Sequence, residues 1–208
     1  MQNYVITVAR GFGSGGKEIS SLLGERLGIP FYDKEILDMA SDIYGIDKND
    51  FEQVDEKLRQ GIFSKILRRG KKNYIAQPED ADFISDDVLF HLQMQIIRHL
   101  AETQSCIIIG KCADFVLRDY TNVISVYIEA PRRYCLRSVK EKLNVTDSKA
   151  AKMIEKTDKY RAEYYKYYTG GNYWTNPVNY DLTLNSERVG RERCVDIIEN
   201  YVKMKFFQ

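Results

Sequence analysis

Cysteine pairs, long apolar runs, net charge and histidines are scarce or absent in this sequence, and each scarcity argues against a class of protein. The four cysteines form no C-x-x-C pair, and the chain contains neither an apolar signal segment nor an apolar run of 18 residues. Nothing in these patterns suggests export or a membrane span, so we expect a reduced, cytoplasmic protein. A formal net charge of only +1 argues against bulk attraction to nucleic acid or to membranes. The two histidines, His91 and His99, gain no metal partner from their spacing on a predicted helix.

What the sequence does contain is typical of an α/β domain. Its 208 residues suit one such domain with a substantial core, and no internal repeat is visible. Residues 47–82 are the least core-like part, because they carry many charges and a basic patch around Arg68 and Lys72. We expect an inserted helical or partly flexible subdomain there. Its basic patch either attracts a phosphorylated substrate or is a solvated face.

Residues 11–18 (GFGSGGKE) form the strongest motif in the chain. An apolar run typical of a buried strand, residues 4–9, precedes them, and apolar residues at helical spacing follow over residues 19–27. Strand, glycine-rich turn and helix are the setting of a phosphate-binding loop, in which backbone N–H groups face a polyanion at a helix N-terminus. Lys17 adds a full positive charge. We expect the phosphate-binding residues to be Gly11, Gly13, Ser14, Gly15, Gly16 and Lys17.

Glu18 is the one departure from the pattern G-x-x-x-x-G-K-[ST]. It replaces the hydroxyl residue that commonly binds Mg²⁺. Its carboxylate either serves as a metal ligand or stabilises the first turn of the helix through the helix dipole. Both roles stay open, and Ser20 is the alternative oxygen ligand near the metal.

Two further strand ends carry candidate ligand-binding residues. Asp33 follows a predicted second strand, residues 28–32, and either reaches the metal or the acceptor or caps the helix that begins at Lys34. Lys111 and Asp114 follow a continuous apolar run, where a glycine and a cation suggest phosphate binding with an orienting or acceptor-binding carboxylate. An ordinary strand-to-helix turn capped by polar residues is the other interpretation.

Two charged helices joined by a short polar turn are predicted after a fourth strand. The first carries Arg133 and Arg137, and the second carries Asp158 and Arg161 three residues apart and therefore on one face. Such a pair could close over a phosphoryl group, bring guanidinium groups to it and expel water. Alternatively, these are surface helices stabilised by exposed ion pairs. A fifth strand over residues 180–184 and a closing helix from Glu187 complete the predicted elements.

The motifs together resemble those of the cytidylate-kinase-like family of nucleoside-monophosphate kinases. The resemblance spans nearly the whole chain and is weakest over residues 47–82. It is carried by GSGGKEIS from Gly13, FYD at residues 31–33, GKCAD at residues 110–114, and the D-x-x-R pair followed by YYKYYTG. The family implies an α/β P-loop NTPase fold: a five-stranded parallel sheet in the order 2-3-1-4-5 flanked by helices, with a helical acceptor-binding insertion and a helical lid.

From this resemblance we expect a single P-loop kinase domain over residues 1–208. Its core would comprise residues 1–46, 83–131 and 175–208, its acceptor-binding insertion about 47–82, and its lid about 132–174. The family implies ATP with Mg²⁺ as donor and a monophosphate acceptor, first of all a pyrimidine nucleoside monophosphate. The catalytic residues would be Lys17, Arg133, Arg137, Asp158 and Arg161, the acceptor ligands Asp33, Lys111 and Asp114, and the metal ligands Glu18 and Asp33.

Two positions depart from the family pattern. Glu18 and Ile19 follow the loop lysine where cytidylate kinases have Gly-Thr or a similar pair, and Lys111 stands where arginine is usual. Because lysine cannot make arginine's bidentate contact with phosphate, the acceptor could differ from cytidine monophosphate. Two other functions therefore stay open, a non-catalytic nucleotide-binding regulator and a P-loop kinase of a non-nucleotide metabolite. In each case we expect small-molecule ligands, and neither nucleic acid nor a membrane as partner; the sequence indicates no oligomeric state.

Overall fold

The structure is a computed structural model that describes residues 3–33, 35, 36, 39 and 86–207. Five strands form one sheet: β1 Val5–Arg10, β2 Phe31–Tyr32, β3 Cys106–Ile109, β4 Val123–Glu129 and β5 Leu182–Asn185. The sheet order is β2-β3-β1-β4-β5, and every pair of neighbours is parallel. The predicted α/β fold with this strand order is therefore confirmed. The predicted insertion at residues 47–82, with its basic patch, lies outside the described residues, as does residue 34.

β1 is the central strand because nearly all of it is apolar and buried. Val5 aligns with Cys106 of β3 on one side and with Val123 of β4 on the other. Every residue of β1 except Arg10 is buried, as expected of a parallel strand covered on both faces. The carboxyl ends of the parallel strands meet at one edge of the sheet, which is where ligands bind in open α/β folds.

The helices with described bounds are α1 Gly16–Leu27, α2 Asp86–Thr103, α3 Ala113–Val116, α4 Arg132–Leu143, α5 Asp147–Tyr168, α6 Ser186–Val189 and α7 Arg191–Phe206. The contacts divide the chain into two units, one of Met1–Asp33 with Arg98–Gln208 and one of Lys34–Ile97. All site residues discussed below belong to the first unit. Among the described residues, no helix has the length and apolar character needed to cross a membrane.

Two apolar clusters hold the first unit together. In the larger one, Ile19 and Leu23 of α1 and Val195 and Ile198 of α7 pack with apolar residues of the sheet. The smaller one joins α4 to α5 around buried residues that include Ile154, and Phe12 of the glycine loop packs against it. The α4–α5 helix pair thus has its own apolar core, against which the Phe12 ring of the loop packs.

Two predicted elements differ from the observed ones. The second strand is shorter than predicted, because Gly28 adopts a left-handed φ of 66° that ends α1 and Pro30 has no N–H to donate to the sheet. The predicted closing helix from Glu187 is two helices. They are separated at Gly190, whose φ of 87° and ψ of 146° cannot continue a helix.

Candidate functional site

The loop of residues 11–17 connects β1 to α1 and is shaped by glycine. Gly13 and Gly15 have φ values of 88° and 84°, which residues with side chains rarely adopt. A Cβ at Gly13 would lie 2.8 Å from the Cys135 carbonyl oxygen, and one at Gly15 would lie 2.8 Å from Arg191 Nε. The loop therefore has no room for side chains at these positions. It leads into the first turn of α1, whose N–H groups have no partners within the helix and are available to an anion.

Ser14 contributes a buried hydroxyl to this loop. Its Oγ has no hydrogen-bond partner among the described residues. The Ser14 carbonyl oxygen accepts a 2.5 Å hydrogen bond from Ser186 Oγ at the start of α6, which fixes the loop against the end of the sheet. A buried polar group without a partner costs stability, so the position suits an anion that accepts a hydrogen bond from the Ser14 hydroxyl.

Lys17, the cation of the loop, is held by Asp33 at the end of β2. Lys17 Nζ lies 2.9 Å from Asp33 Oδ2, and Arg10 Nη2 lies 3.3 Å from Asp33 Oδ1. Burial acts to raise the pKa of Asp33, but the hydrogen bond from Lys17 and the charge of Arg10 lower it overall. The structure thus brings together two residues that the sequence singles out, Lys17 and Asp33. The alternative role of Asp33 as a helix cap concerns residue 34, which is outside the described residues.

Arg10 is a site residue that the sequence analysis missed, because the predicted first strand ended at residue 9. Its guanidinium packs on the turn after β3, where a Cβ on Gly110 would lie 2.4 Å from Arg10 Nη1. Burial, together with the nearby charge of Arg161, lowers the pKa of Arg10 to about 10. Arg161 Nη1 donates a 2.9 Å hydrogen bond to the Arg10 carbonyl oxygen. Two guanidinium groups therefore converge beside the loop, and a cation directly before the glycine motif was the available signal.

The turn after β3 has an uncommon backbone. Gly110, Lys111 and Cys112 are all left-handed, with φ values of 70°, 57° and 53°. Side chains are rarely tolerated there, and such backbone conformations cluster at functional sites. The charge of Lys111 contributes to lowering the pKa of Asp33, so Lys111 lies at the same strand ends as Lys17 and Asp33.

Asp114, two residues further on, contacts the α4–α5 helix pair. Its Oδ2 accepts a 2.7 Å hydrogen bond from Tyr165 OH of α5, and both side chains are buried. Burial raises the pKa of Asp114 to about 6, although the Tyr165 hydroxyl favours the charged form. The roles predicted for Asp114, orienting Lys111 or holding an acceptor, stay predictions.

Asp158 and Arg161 of α5 lie against the glycine loop. Asp158 Oδ1 accepts a 2.8 Å hydrogen bond from the Phe12 N–H and lies 3.4 Å from Arg161 Nη1. The Arg161 guanidinium also lies 5.7 Å from the centroid of the Phe12 ring. The D-x-x-R pair therefore connects the second helix of the pair to the backbone and the aromatic ring of the loop.

The other two predicted arginines of the helix pair have separate surroundings. Arg133 is exposed, and its Nη2 lies 3.4 Å from Glu187 of α6. Arg137 lies 5.6 Å from the centroid of the Tyr134 ring and borders a cavity. Of the three predicted arginines, Arg161 is thus the one with a described hydrogen bond to the backbone of Arg10, directly before the loop.

Glu18 forms an ion pair with Lys142 of α4. Burial acts to raise the pKa of Glu18, but the hydrogen bond from Lys142 and the charges of Lys142 and Arg191 lower it overall. The Ser20 hydroxyl is buried and donates a 2.8 Å hydrogen bond to the Gly16 carbonyl oxygen. In the part of the chain that the structure describes, no group of three or more His, Cys, Asp or Glu residues is placed to hold a metal ion.

A cavity of about 370 Å³ lies next to the loop, between α1, α4 and the start of α7. Its lining combines three cations with two carboxylates and one aromatic ring. The lining residues are Glu18, Tyr134, Arg137, Ser138, Glu141, Lys142 and Arg191.

Glu129, at the end of β4, is a second residue that no motif identified. Tyr127 OH donates a 2.6 Å hydrogen bond to its Oε2, and the Ala130 N–H donates a 2.9 Å hydrogen bond to its Oε1. A Cβ on Gly11 would lie only 2.3 Å from Glu129 Oε1. This carboxylate therefore packs on the first glycine of the loop and would have to shift to admit a side chain there.

Chemically, the arrangement is a cradle for a polyanion. Lys17, Arg10 and Arg161 supply positive charge, the Ser14 hydroxyl and the first turn of α1 supply hydrogen-bond donors, and the glycines leave space for phosphate groups close to the backbone. The residues present therefore fit the polyphosphate of a nucleotide.

Comparison with known proteins identifies the family and the fold. The sequence matches the cytidylate kinase-like family over residues 5–188, and none of the curated proteins matches it. A crystal structure of an uncharacterized protein from Eubacterium ventriosum has a TM-score of 0.71 and 25% sequence identity, over 97% of this chain and 99% of that one.

Two more distant structures share the fold. Shikimate kinase from Bacteroides thetaiotaomicron has a TM-score of 0.52 and 12% identity, over 96% of this chain and 98% of that one. Shikimate kinase from Acinetobacter baumannii, in complex with shikimate, has a TM-score of 0.52 and 11% identity, over 99% of this chain and 96% of that one. At such identities the likeness concerns the fold alone.

Proposed function

Because the chain belongs to the cytidylate kinase-like family, we propose that it transfers the γ-phosphoryl group of ATP to a small phosphorylated acceptor. Its family and its fold are those of P-loop kinases. A pyrimidine nucleoside monophosphate is the acceptor that the family indicates first. The observation that carries the proposal is the pairing of Lys17 with Asp33 beside a glycine loop whose buried Ser14 hydroxyl lacks a partner among the described residues.

The donor phosphates would lie in the loop of residues 11–17. The Ser14 hydroxyl and the first-turn N–H groups of α1 would donate hydrogen bonds to them, and Lys17 would neutralise the phosphate charge. Arg10 and Arg161 would stabilise the charge that develops on the transferring group. Phosphoryl transfer needs mainly positioning and electrostatic stabilisation, so no nucleophile from the protein is required.

Mg²⁺ bound with the donor would supply positive charge that neutralises the phosphates. Such sites need only one or two protein carboxylates in addition to the phosphates. Asp33 and Glu18 are the candidates, and each is paired with a lysine. Asp33 is the better candidate, because its partner Lys17 would turn to the phosphates when the donor binds and so free Asp33 Oδ2.

The acceptor would lie at the carboxyl ends of β2 and β3, close to Asp33 and Lys111. The α4–α5 helix pair would exclude water from the transferring group, because Asp158 and Arg161 hold α5 against the loop. Exclusion of water matters since water would otherwise compete with the acceptor for the phosphoryl group.

Lys17→Ala tests the donor site. The variant should fold like the wild type, because Arg10 still pairs with Asp33, but the rate of transfer should fall by a factor of about 100 or more. ADP release would be followed with ATP, Mg²⁺ and a panel of pyrimidine and purine monophosphates and non-nucleotide metabolites, with direct detection of the phosphorylated product. Lys203→Ala, an exposed lysine of α7, is the matched control and should keep full activity. Unchanged turnover of Lys17→Ala would refute the proposal.

The same screen separates the two alternative functions. ATP binding in calorimetry without any phosphorylated product would indicate a nucleotide-binding regulator. Product with a non-nucleotide metabolite alone would indicate a metabolite kinase that uses the same donor site.

A further inference from the structure

Arg191, the first residue of α7, packs on the glycine loop although no motif predicts it. A Cβ on Gly15 would lie 2.8 Å from Arg191 Nε and 3.3 Å from its Cζ. The guanidinium is therefore placed directly on the loop backbone. The Ser186–Ser14 hydrogen bond ties the preceding helix, α6, to the same loop, so Arg191 is anchored from the core, and its described hydrogen bond to the α4–α5 pair is a single long one.

The hydrogen bonding of Arg191 is incomplete. Its Nε is buried and has no partner among the described residues, and its Nη2 makes only a long 3.5 Å contact with Ser138 Oγ. In the described part of the chain, the Ser14 hydroxyl is the other buried side-chain atom without a partner. Both residues adjoin Gly15, Ser14 in the chain and Arg191 in space. Two donors that lack acceptors at one place indicate that a ligand rich in acceptors binds there.

The electrostatics lead to the same conclusion. Arg191 begins a helix of 16 residues and lies beside Gly15, the N-cap of α1, so it stands near two helix ends of positive partial charge. A cation is unfavourable at such ends unless an anion is close. The cavity lining around Arg191 holds three cations, Arg137, Lys142 and Arg191, against two carboxylates, Glu18 and Glu141. Positive charge is therefore in excess here.

We propose that Arg191 binds the polyphosphate of the donor nucleotide, as a fixed cation supplied by the core in addition to Arg161 of α5. This assignment rests on the proposed function and adds a binding residue from outside the predicted lid. Arg191 also borders the cavity of about 370 Å³ that Glu18 and Lys142 line. A donor with its phosphates in the loop and its nucleoside in this cavity would pass the Arg191 guanidinium.

Calorimetric titration of the full chain with ATP and with inorganic tripolyphosphate tests the assignment. Arg191→Met should weaken the binding of both ligands about ten-fold or more, because charge-assisted hydrogen bonds to phosphate are lost. Arg191→Lys, which keeps the charge but loses the planar fork, should be intermediate. Arg193→Met removes an exposed arginine of the same helix and should bind both ligands like the wild type.

Steady-state kinetics add a readout that a purely structural role would not give. Arg191→Met should raise the KM for ATP and leave the KM for the acceptor unchanged, whereas a distorted core would change both.

Equal affinities of wild type and Arg191→Met would overturn the assignment and leave the proposed function standing. If the wild type binds neither ligand, both fail. Should Arg191→Met not fold, Arg191→Lys decides: wild-type affinity for tripolyphosphate in this variant overturns the assignment, and weaker binding at unchanged stability supports it.

Discussion

Replacing Asp114 by asparagine should stabilise the protein at neutral pH. Asp114 is only 9% exposed, and burial raises its pKa from 3.8 to about 6. The folded state therefore binds a proton at this carboxyl more tightly than the unfolded state does. By linkage, the contribution of Asp114 lowers the free energy of unfolding as the pH rises from about 4 to about 6, and the loss remains at higher pH. Asparagine keeps an oxygen that accepts the Tyr165 hydrogen bond but carries no charge.

The size of the effect follows from the pKa. One pKa unit corresponds to about 1.4 kcal/mol, so the rise from 3.8 to about 6 corresponds to roughly 3 kcal/mol. About half of this, roughly 1.4 kcal/mol, should develop between pH 5 and pH 7.5. The difference in free energy of unfolding between Asp114→Asn and the wild type should therefore increase by that amount over this interval.

Urea unfolding of both proteins at pH 5, 6, 7 and 7.5 measures this difference. Asp119→Asn is the control, because the Asp119 side chain is 83% exposed and its removal should leave the pH profile parallel to that of the wild type. A difference between Asp114→Asn and wild type that stays constant with pH would show that Asp114 is ionised without cost in the folded protein. The reasoning from burial would then be wrong.

Two other perturbations probe the loop. Gly11→Ala should lower the free energy of unfolding by about 1–3 kcal/mol, because the new Cβ overlaps Glu129; combining it with Glu129→Ala should recover part of the loss in chemical denaturation, and no recovery would contradict the packing argument. Lys142→Glu should raise the KM for ATP, because it leaves the Glu18 carboxylate without its cation beside the phosphates, whereas adding Glu18→Lys to it should recover the KM in part. A double variant as defective as Lys142→Glu would instead indicate that Glu18 is a metal ligand.

Much of the fold could be predicted, because the strands and helices are indicated by local patterns of apolar residues. The first strand is an apolar run, and the predicted bounds of the first and fifth strands, residues 4–9 and 180–184, differ from the observed ones by one or two residues. The sheet order came from the family resemblance, since no local pattern states which strands are neighbours. Gly190 shows the limit of periodicity: apolar spacing continues through the closing segment, but a single left-handed glycine divides it into two helices.

The site could be predicted only where it is contiguous in sequence. The loop and its lysine form one motif, whereas Glu18 pairs with Lys142 across 124 residues and Arg161 reaches the Arg10 carbonyl across 151. Helical spacing predicted that Asp158 and Arg161 share a face, but not that this face meets the loop. No sequence pattern singled out Arg191, because an arginine early in a polar helix is common on protein surfaces. Its contact with Gly15 of the loop is visible only in the structure.

The ion pair with Lys142 explains how the carboxylate of Glu18 is tolerated beside a phosphate-binding loop. This pair could not be predicted from the sequence. A carboxylate directly after the loop lysine would repel the phosphates of a bound nucleotide, and the favourable helix dipole offsets only part of that repulsion, by about 0.3–1 kcal/mol. Lys142 of α4 and Arg191, which both line the cavity, neutralise the Glu18 carboxylate. Glu18 therefore need not bind a metal to be compatible with a polyphosphate. The Glu18–Lys142 ion pair connects the first turn of α1 to the α4–α5 pair. Glu18, although it departs from the motif, therefore holds Lys142 beside the loop.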